Sequence, residues 1–132
     1  MTRLTIRIDF DDGTALGPGK VRLLEQVAET GSIRKAAAGM KMSYRRAWLL
    51  LKALDDMFGR PLATTATGGK EGGGARLTPL GRVVVARYRM IERTASAIAK
   101  RDLKFLINAL SFKEKRRTAA AKRSRNRKGK PA

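Results

Sequence analysis

Two short helical segments follow one another in this sequence with almost no chain between them, and this joint constrains the fold more than any other feature. One segment starts at Ser32 and the next at Ser43, and serine is a preferred residue at helix N-caps. Only Lys41 and Met42 separate the two segments. Helices joined so tightly pack closely where they cross, and Ala37 supplies the small residue that this requires. The pattern predicts a helix-turn-helix.

The residues around the joint support this prediction. Met40 and Met42 can fill the space beneath the turn. Lys41 occupies a position where glycine is favoured, so the prediction requires a positive φ at Lys41. The second helix needs inward apolar residues about one turn apart. Its predicted apolar stripe consists of Ala47, Leu50, Leu51, Leu54 and Phe58.

Two elements are predicted before the joint. The strict alternation of apolar and polar residues in RLTIRIDF predicts a strand over residues 3–10. Its buried face would consist of Leu4, Ile6, Ile8 and Phe10. The segment GKVRLLEQVAETG then predicts a helix that ends at Gly31. Its inward residues would be Leu23, Leu24, Val27 and Ala28.

The charge of the chain indicates a polyanionic partner. Thirty Lys and Arg residues face eleven Asp and Glu residues, for a formal net charge of +19. Residues 113–132 account for +9 of it and residues 1–112 for the other +10, so the folded part is basic as well. Nucleic acid is the first candidate for such a partner, and an anionic membrane surface is the second.

Composition also disfavours several classes of protein. The sequence has no Cys and no His, which excludes the usual zinc sites and the commonest general base. The acidic pairs Asp11–Asp12 and Asp55–Asp56 are sequence neighbours, and neighbours do not share a helix face. We therefore expect no enzyme, no catalytic residue, no metal and no cofactor. No apolar run approaches a membrane span or a signal peptide, so we expect a cytoplasmic protein without a membrane partner.

The outward side of the two short helices is strongly basic. Six Lys and Arg residues and no acidic residue lie between Gly31 and Leu54. A recognition helix places its N-terminal residues against base edges in the major groove, where arginine can bind guanine with two hydrogen bonds. The alternative is a solvated basic face on an ordinary helix pair. Tyr44 could reach the DNA backbone, whereas Trp48 is expected in the interior. The residues predicted to contact DNA here are Ser32, Arg34, Lys35, Ser43, Tyr44, Arg45, Arg46 and Lys52.

The glycine-rich stretch TATGGKEGGGARLT, residues 65–78, has two possible functions. A phosphate-binding loop requires G-x-x-x-x-G-K-[ST], but Glu71 follows Gly69–Lys70 and Thr64 stands where the first glycine belongs. PLATT and ARLT, on either side, are short strand candidates. The stretch is therefore interpreted as the wing of a DNA-binding domain, the alternative being a flexible linker. Gly69, Lys70 and Arg76 are its predicted DNA contacts.

A long helix is predicted from Pro79 to Leu110, with Thr78 as its cap. A two-fold dimer through this helix would place two recognition helices one DNA turn apart. The predicted fold is mostly α with a small β-hairpin: a winged helix-turn-helix over residues 1–78 and a C-terminal dimerisation helix over 79–110. Residues 111–132 form a basic tail that we expect to be disordered. The predicted dimerisation stripe is Leu80, Val84, Tyr88, Ile91, Ala95 and Ile98.

Two stretches of the sequence, the helix-turn-helix and the glycine-rich segment, resemble a known family. GSIRKAAAGMKMSYRRAW followed by TATGGKEGGGARLTPLG resembles the N-terminal DNA-binding domain of ModE-type molybdate-responsive regulators. G-S-[IF] before the second helix and L-T-x-x-G after the wing are similar to LysR-type winged helices. The resemblance spans roughly residues 3–100. It implies a homodimer on a palindromic operator, with a recognition helix over 43–58 and a wing over 67–74.

The resemblance is partial, because family members continue into C-terminal molybdate-binding domains. This sequence ends in a basic tail, so we expect a stand-alone DNA-binding domain and no molybdate binding by this chain alone. The predicted function is a sequence-specific, double-stranded DNA-binding transcriptional regulator. The alternatives are a non-specific nucleoid or RNA-binding protein, a small nucleotide-using enzyme, and a molybdate-binding protein.

Overall fold

The structure, a computed structural model, describes residues 2–66 and 74–129. Its contacts divide the chain into two units, residues 1–94 and 95–132. The architecture is mostly helical, with a helix-turn-helix, a small hairpin after it and a long last helix, as the sequence predicts. The elements are β1 (Ile8–Asp9), β2 (Ala15–Leu16), α1 (Pro18–Thr30), α2 (Ile33–Gly39), α3 (Tyr44–Phe58), β3 (Ala63–Thr65), β4 (Ala75–Leu77) and α4 (Pro79–Gly129).

The N-terminal strand is shorter than predicted. Only Ile8 and Asp9 pair with a second strand, in antiparallel register with Leu16 and Ala15. The predicted alternation holds for Leu4, Ile6 and Ile8, which are half-buried. It fails at Phe10, which is 40% exposed. The chain turns directly after Phe10, so this side chain lies outside the pleat that would have buried it.

Hydrogen bonds within the loop close that turn. The Phe10 N–H donates to the Thr14 carbonyl at 2.8 Å, and Gly13 takes a φ of 87°. The Thr14 N–H and hydroxyl both donate to one Asp12 carboxylate oxygen. These hydrogen bonds lower the pKa of Asp12. The Asp12 carboxylate therefore stabilises this turn.

The core of unit 1 lies between the three short helices, the hairpin and the start of α4. Helix α1 ends at Gly31, which takes a left-handed φ of 67°. Ala28 was expected to face inward but is exposed, and Val21 takes its place in the core. Val21, Leu24 and Val27 recur every three residues along the buried side of α1. The buried residues of α1 to α3 are Val21, Leu23, Leu24, Val27, Ile33, Ala36, Ala37, Ala47, Leu51 and Leu54.

Helix α4 is held in unit 1 by two neighbouring side chains. Tyr88 is fully buried, its hydroxyl donates to the Ile6 carbonyl at 2.5 Å, and burial raises its pKa. Arg89 donates two hydrogen bonds to the Glu25 carboxylate on α1 and a third to Glu92. These hydrogen bonds, those to Glu25 first, raise the pKa of Arg89. The contacts attach α4 to both the N-terminal segment and α1.

The long helix continues past its predicted end. We expected it to stop near Leu110 and the following tail to be disordered, but the helix extends to Gly129. Residues 111–128 contain neither Gly nor Pro, and they are rich in Ala, Lys and Arg, which favour helix. The many positive charges of this segment led us to expect disorder, but the helix propensity of its residues outweighs the repulsion between them.

The backbone of Leu62, just before the hairpin, contacts two helices. Its N–H donates to the Asp55 carboxylate on α3 at 2.8 Å, and its carbonyl accepts from the Thr78 N–H at 2.9 Å. The Thr78 hydroxyl accepts from the Gly81 N–H and so caps α4. Gly81 itself approaches so closely that a β-carbon there would lie 2.0 Å from the Leu62 carbonyl oxygen. Helix α4 can therefore start at this place only with glycine at position 81.

We predict that Gly81→Ala destabilises the protein by about 3 kcal/mol, because the new methyl group would overlap backbone and not a movable side chain. Chemical denaturation followed by circular dichroism measures this. Gly19→Ala is the matched control, since a β-carbon at this helical position meets open space. It should be neutral or stabilising by up to about 1 kcal/mol. Equal effects of the two substitutions would contradict the close approach.

Candidate nucleic-acid interface

The joint between α2 and α3 has the geometry that the sequence requires. Lys41 takes a φ of 55°, the left-handed conformation. Its N–H donates to the Ala38 carbonyl at 3.1 Å, and the Met42 N–H donates to the Ala37 carbonyl at 3.0 Å. This pair of bonds is a Schellman motif, which ends a helix and reverses its direction. Met40 is half-buried against the core, as predicted for a residue filling the turn.

Both predicted caps are present. The Ser32 hydroxyl accepts from the Lys35 N–H at 3.1 Å, and the Ser43 hydroxyl accepts from the Arg46 N–H at 3.0 Å. Each serine thus begins its helix at the predicted position. These hydroxyl oxygens accept a hydrogen bond from the backbone, and each hydroxyl can still donate its own O–H to a phosphate oxygen.

The cations of the two helices form one exposed surface, which we call the basic face. All of them are exposed, and no acidic residue lies between Gly31 and Leu54. Among the described residues, the ion pairs of the protein involve Arg7 and Arg89 instead. The cations of the basic face therefore form no ion pair with a carboxylate in the part of the chain that the structure describes. The basic face consists of Arg34, Lys35, Lys41, Arg45, Arg46 and Lys52.

The expectation that Trp48 is interior is wrong. Trp48 is 46% exposed and Tyr44, one turn earlier, is 47% exposed. The core side of α3 is already filled by its buried aliphatic residues, and Trp48 points roughly 100° away from Ala47, its neighbour in sequence. The Arg34 guanidinium lies over the Tyr44 ring, 5.4 Å from its centroid. A groove of about 320 Å³ follows this side of α3, lined by Tyr44, Arg45, Trp48 and Leu49.

The hairpin stands beside the helix-turn-helix and is attached to it. Strands β3 and β4 pair antiparallel, with Thr64 opposite Arg76. Arg76 is exposed, while its neighbours Ala75 and Leu77 are buried. The Ala75 N–H donates to the Gly31 carbonyl at 2.8 Å, which joins β4 to the chain between α1 and α2. The predicted contacts Gly69 and Lys70, and most of the predicted wing, lie outside the described residues.

The residues predicted to form a dimerisation stripe have different environments. In unit 1, Val84 and Tyr88 belong to the core and leave no surface for a partner, and Leu80 packs against that core. Ile91, also in unit 1, is 45% exposed. In unit 2, Ala95 is half-buried and Ile98 is 79% exposed. The sequence interpretation omitted further exposed apolar residues of unit 2, namely Phe105, Leu106, Ile107 and Leu110.

Within the part of the chain that the structure describes, no three His, Cys, Asp or Glu residues are grouped so that they could hold a metal ion. No described helix is both long and apolar enough to cross a bilayer.

Comparison with known proteins identifies the class of this domain. Residues 19–82 match the model of the family described as bacterial regulatory helix-turn-helix protein, lysR family. This segment begins at the second residue of α1 and ends in the first turn of α4, so it includes the helix-turn-helix and its hairpin. Over these residues the chain is similar to the lysR family.

Individual relatives narrow the class further. The chain is 41% identical over 85 residues to "Molybdenum transport protein ModE" of Azotobacter vinelandii, covering 64% of this chain and 32% of that protein. It is 38% identical over 93 residues to "Transcriptional regulator ModE" of Haemophilus influenzae, covering 70% and 36%. The chain thus spans about a third of the length of these relatives. The resemblance to ModE-type regulators is confirmed for this N-terminal part.

Among solved structures, the CbnR DNA-binding domain in complex with DNA aligns with a TM-score of 0.49 and 23% identity. The alignment covers 64% of this chain and 91% of that one.

We predict that Lys41→Gly raises the free energy of unfolding by about 0.5–1 kcal/mol, because glycine adopts a positive φ without steric cost. Lys41→Ala is the control: it removes the same charge but keeps the β-carbon, so it should give no such gain. Thermal unfolding of the three proteins side by side measures the difference. Equal stability of the glycine and alanine variants would show that the left-handed conformation at Lys41 costs nothing.

Proposed function

We propose that this protein is a sequence-specific, double-stranded DNA-binding transcriptional regulator without catalytic activity. The observation that carries the proposal is the basic face: six exposed cations, with no acidic residue in the same stretch, on a helix-turn-helix of a regulatory family. A phosphate backbone is the natural counterpart of such a surface, and cations that release its counterions provide most of the affinity.

Helix α3 is the proposed recognition helix. Its N-terminal residues Ser43, Arg45 and Arg46 are exposed and begin directly after the joint, where base edges are read in helix-turn-helix proteins. Arg45 and Arg46 supply forked donors for guanine, and Ser43 supplies a donor for phosphate. Arg34, Lys35 and the cap at Ser32 lie on α2, which would cross the backbone.

The hairpin is the proposed wing. Arg76 is exposed on β4, and its buried neighbours hold that strand against the domain. Lys70 and Gly69 are proposed as backbone contacts from their place in the sequence. Such contacts set the position of the protein on DNA without selecting a sequence.

A homodimer on a palindromic operator is also proposed. In unit 2, exposed apolar side chains such as Ile98 and Phe105 stand seven residues apart on one helix. Two turns of helix bring such residues to the same side, and a second copy of the helix would bury both. The domain boundaries proposed from function are residues 1–78 for DNA binding and 79–110 for dimerisation.

The relatives suggest which genes such a regulator would control. Both are named ModE, one as a molybdenum transport protein and one as a transcriptional regulator. We propose an operator near genes for molybdate transport or metabolism.

Selection from a pool of random duplexes tests the function directly. The proposal expects an enriched motif with two-fold symmetry. Binding of all duplexes with equal affinity would instead favour the second candidate, a non-specific nucleoid protein, which the net charge of +19 would also support.

We predict that Arg45→Ala and Arg46→Ala each cost about 1–3 kcal/mol of discrimination between the selected duplex and a scrambled one, if each arginine binds a guanine edge. Lys70→Ala should weaken binding to both duplexes equally. Arg22→Ala, an exposed arginine on α1 outside the basic face, is the matched control. Fluorescence anisotropy at fixed ionic strength measures all four variants. Unchanged discrimination in both arginine variants would refute α3 as the reading helix.

We predict that the double substitution Ile98→Lys with Phe105→Lys converts a dimer to a monomer, because it places four like charges in the proposed interface. Sedimentation equilibrium measures the mass, and Ala97→Lys, at an exposed position beside Ile98, is the control. A wild-type chain that sediments as a monomer at micromolar concentration would rule out this interface.

A further inference from the structure

Three large apolar side chains are exposed together on α3. Tyr44 is 47% exposed, Trp48 46% and Leu49 50%. With Arg45 they line the groove of about 320 Å³ along the outward side of the helix. Half-exposed apolar groups of this size, clustered on one side of one helix, indicate a surface that binds something.

The surrounding charge determines what kind of partner fits. The cluster lies within the basic face, between Arg34 on α2 and Lys52 farther along α3. A second copy of this chain docked by two-fold symmetry would bring the same cations together, and like charges repel. The favoured partner is therefore a polyanion that also presents small apolar groups.

Duplex DNA has such groups in its major groove. Among the base edges exposed there, thymine presents a C5 methyl group, and apolar side chains contact it. The Tyr44 ring is already covered on one face by the Arg34 guanidinium, 5.4 Å from its centroid. Trp48 and Leu49 remain as the apolar surfaces of the groove that are open to a methyl group, with Arg45 beside them.

We propose that Trp48 and Leu49 read thymine methyl groups in the major groove, next to a base that Arg45 reads. This inference rests on the proposed function, because it requires α3 to lie in the groove. It adds specificity-determining residues, and a class of base, that the arginines alone do not provide. The expected motif contains thymine next to guanine in each half-site.

Removing single methyl groups from the DNA tests the proposal with the unmodified protein. In the duplex obtained by selection, each thymine is replaced in turn by deoxyuridine, which lacks only the C5 methyl group. We expect one or two positions per half-site at which this replacement raises the Kd roughly fourfold for each methyl group lost. Replacement at the other thymines should leave the Kd unchanged and serves as the internal control.

Protein variants then assign the contact. We call the rise in Kd caused by replacing a thymine with deoxyuridine the deoxyuridine penalty. Trp48→Ala and Leu49→Ala should abolish this penalty at the position that each side chain reads. Val83→Ala, an exposed apolar residue of α4, should retain the full penalty. Thermal unfolding checks that all variants remain folded.

The outcomes separate this inference from the proposed function. A selected motif with no deoxyuridine penalty at any thymine overturns the inference and leaves the proposed function intact. Penalties that persist unchanged in both α3 variants also overturn it. If selection yields no motif, both fail together. If the variants bind DNA normally but lose binding to a protein partner, the cluster is a protein-docking surface and the inference is wrong.

Discussion

The hydrogen bonds and close packing around the Leu62 backbone determine how the two parts of the proposed DNA-binding surface are arranged. The Leu62 N–H donates to the Asp55 carboxylate on α3, and the Leu62 carbonyl accepts from the Thr78 N–H. Gly81, at the start of α4, lies close to the same carbonyl. Strand β3 begins at the next residue, Ala63, so these contacts set the direction in which the hairpin leaves the helices. A helix and a wing can touch one DNA molecule together only if this direction is fixed.

The joint between α2 and α3 combines an unfavourable backbone conformation with a favourable charge. Lys41 takes the left-handed φ that glycine would adopt more easily, yet it contributes one of the six cations of the basic face. Two backbone hydrogen bonds to Ala37 and Ala38 hold the conformation. Folding stability favours glycine at position 41, whereas attraction to a phosphate backbone favours lysine. Substitutions at this position therefore allow the effect on stability and the effect on DNA binding to be measured separately.

The sequence was most informative where the signal was local. Ser32 and Ser43 fix helix starts because a cap acts on N–H groups within its own first turn. Trp48 was misplaced because the buried side of α3 depends on how α1 and α2 pack against it, which the spacing of residues within α3 does not determine. The apolar stripe of α4, which includes Tyr88, was equally ambiguous. A helix can bury such a stripe against its own domain or against a second chain, and the sequence pattern is the same in both cases. Which side of a helix is buried, and which element buries it, are properties of the tertiary structure, and the spacing of apolar residues along one helix does not determine them.

Two exposed apolar surfaces in the described part of the chain differ in their charge, and this difference supports the different partners proposed for them. Around Trp48 and Leu49 the stretch from Gly31 to Leu54 contributes only cations, which repel a second copy of the same face. Between Ile98 and Phe105 the helix carries Lys100, Arg101 and Lys104 together with one carboxylate, that of Asp102, so charges of both signs are present. Asp102 can pair with a cation of a second copy of this helix, whereas the stretch from Gly31 to Leu54 has no carboxylate that could do so. This difference in charge supports the two proposals, DNA as the partner of the α3 surface and a second chain as the partner of the α4 surface.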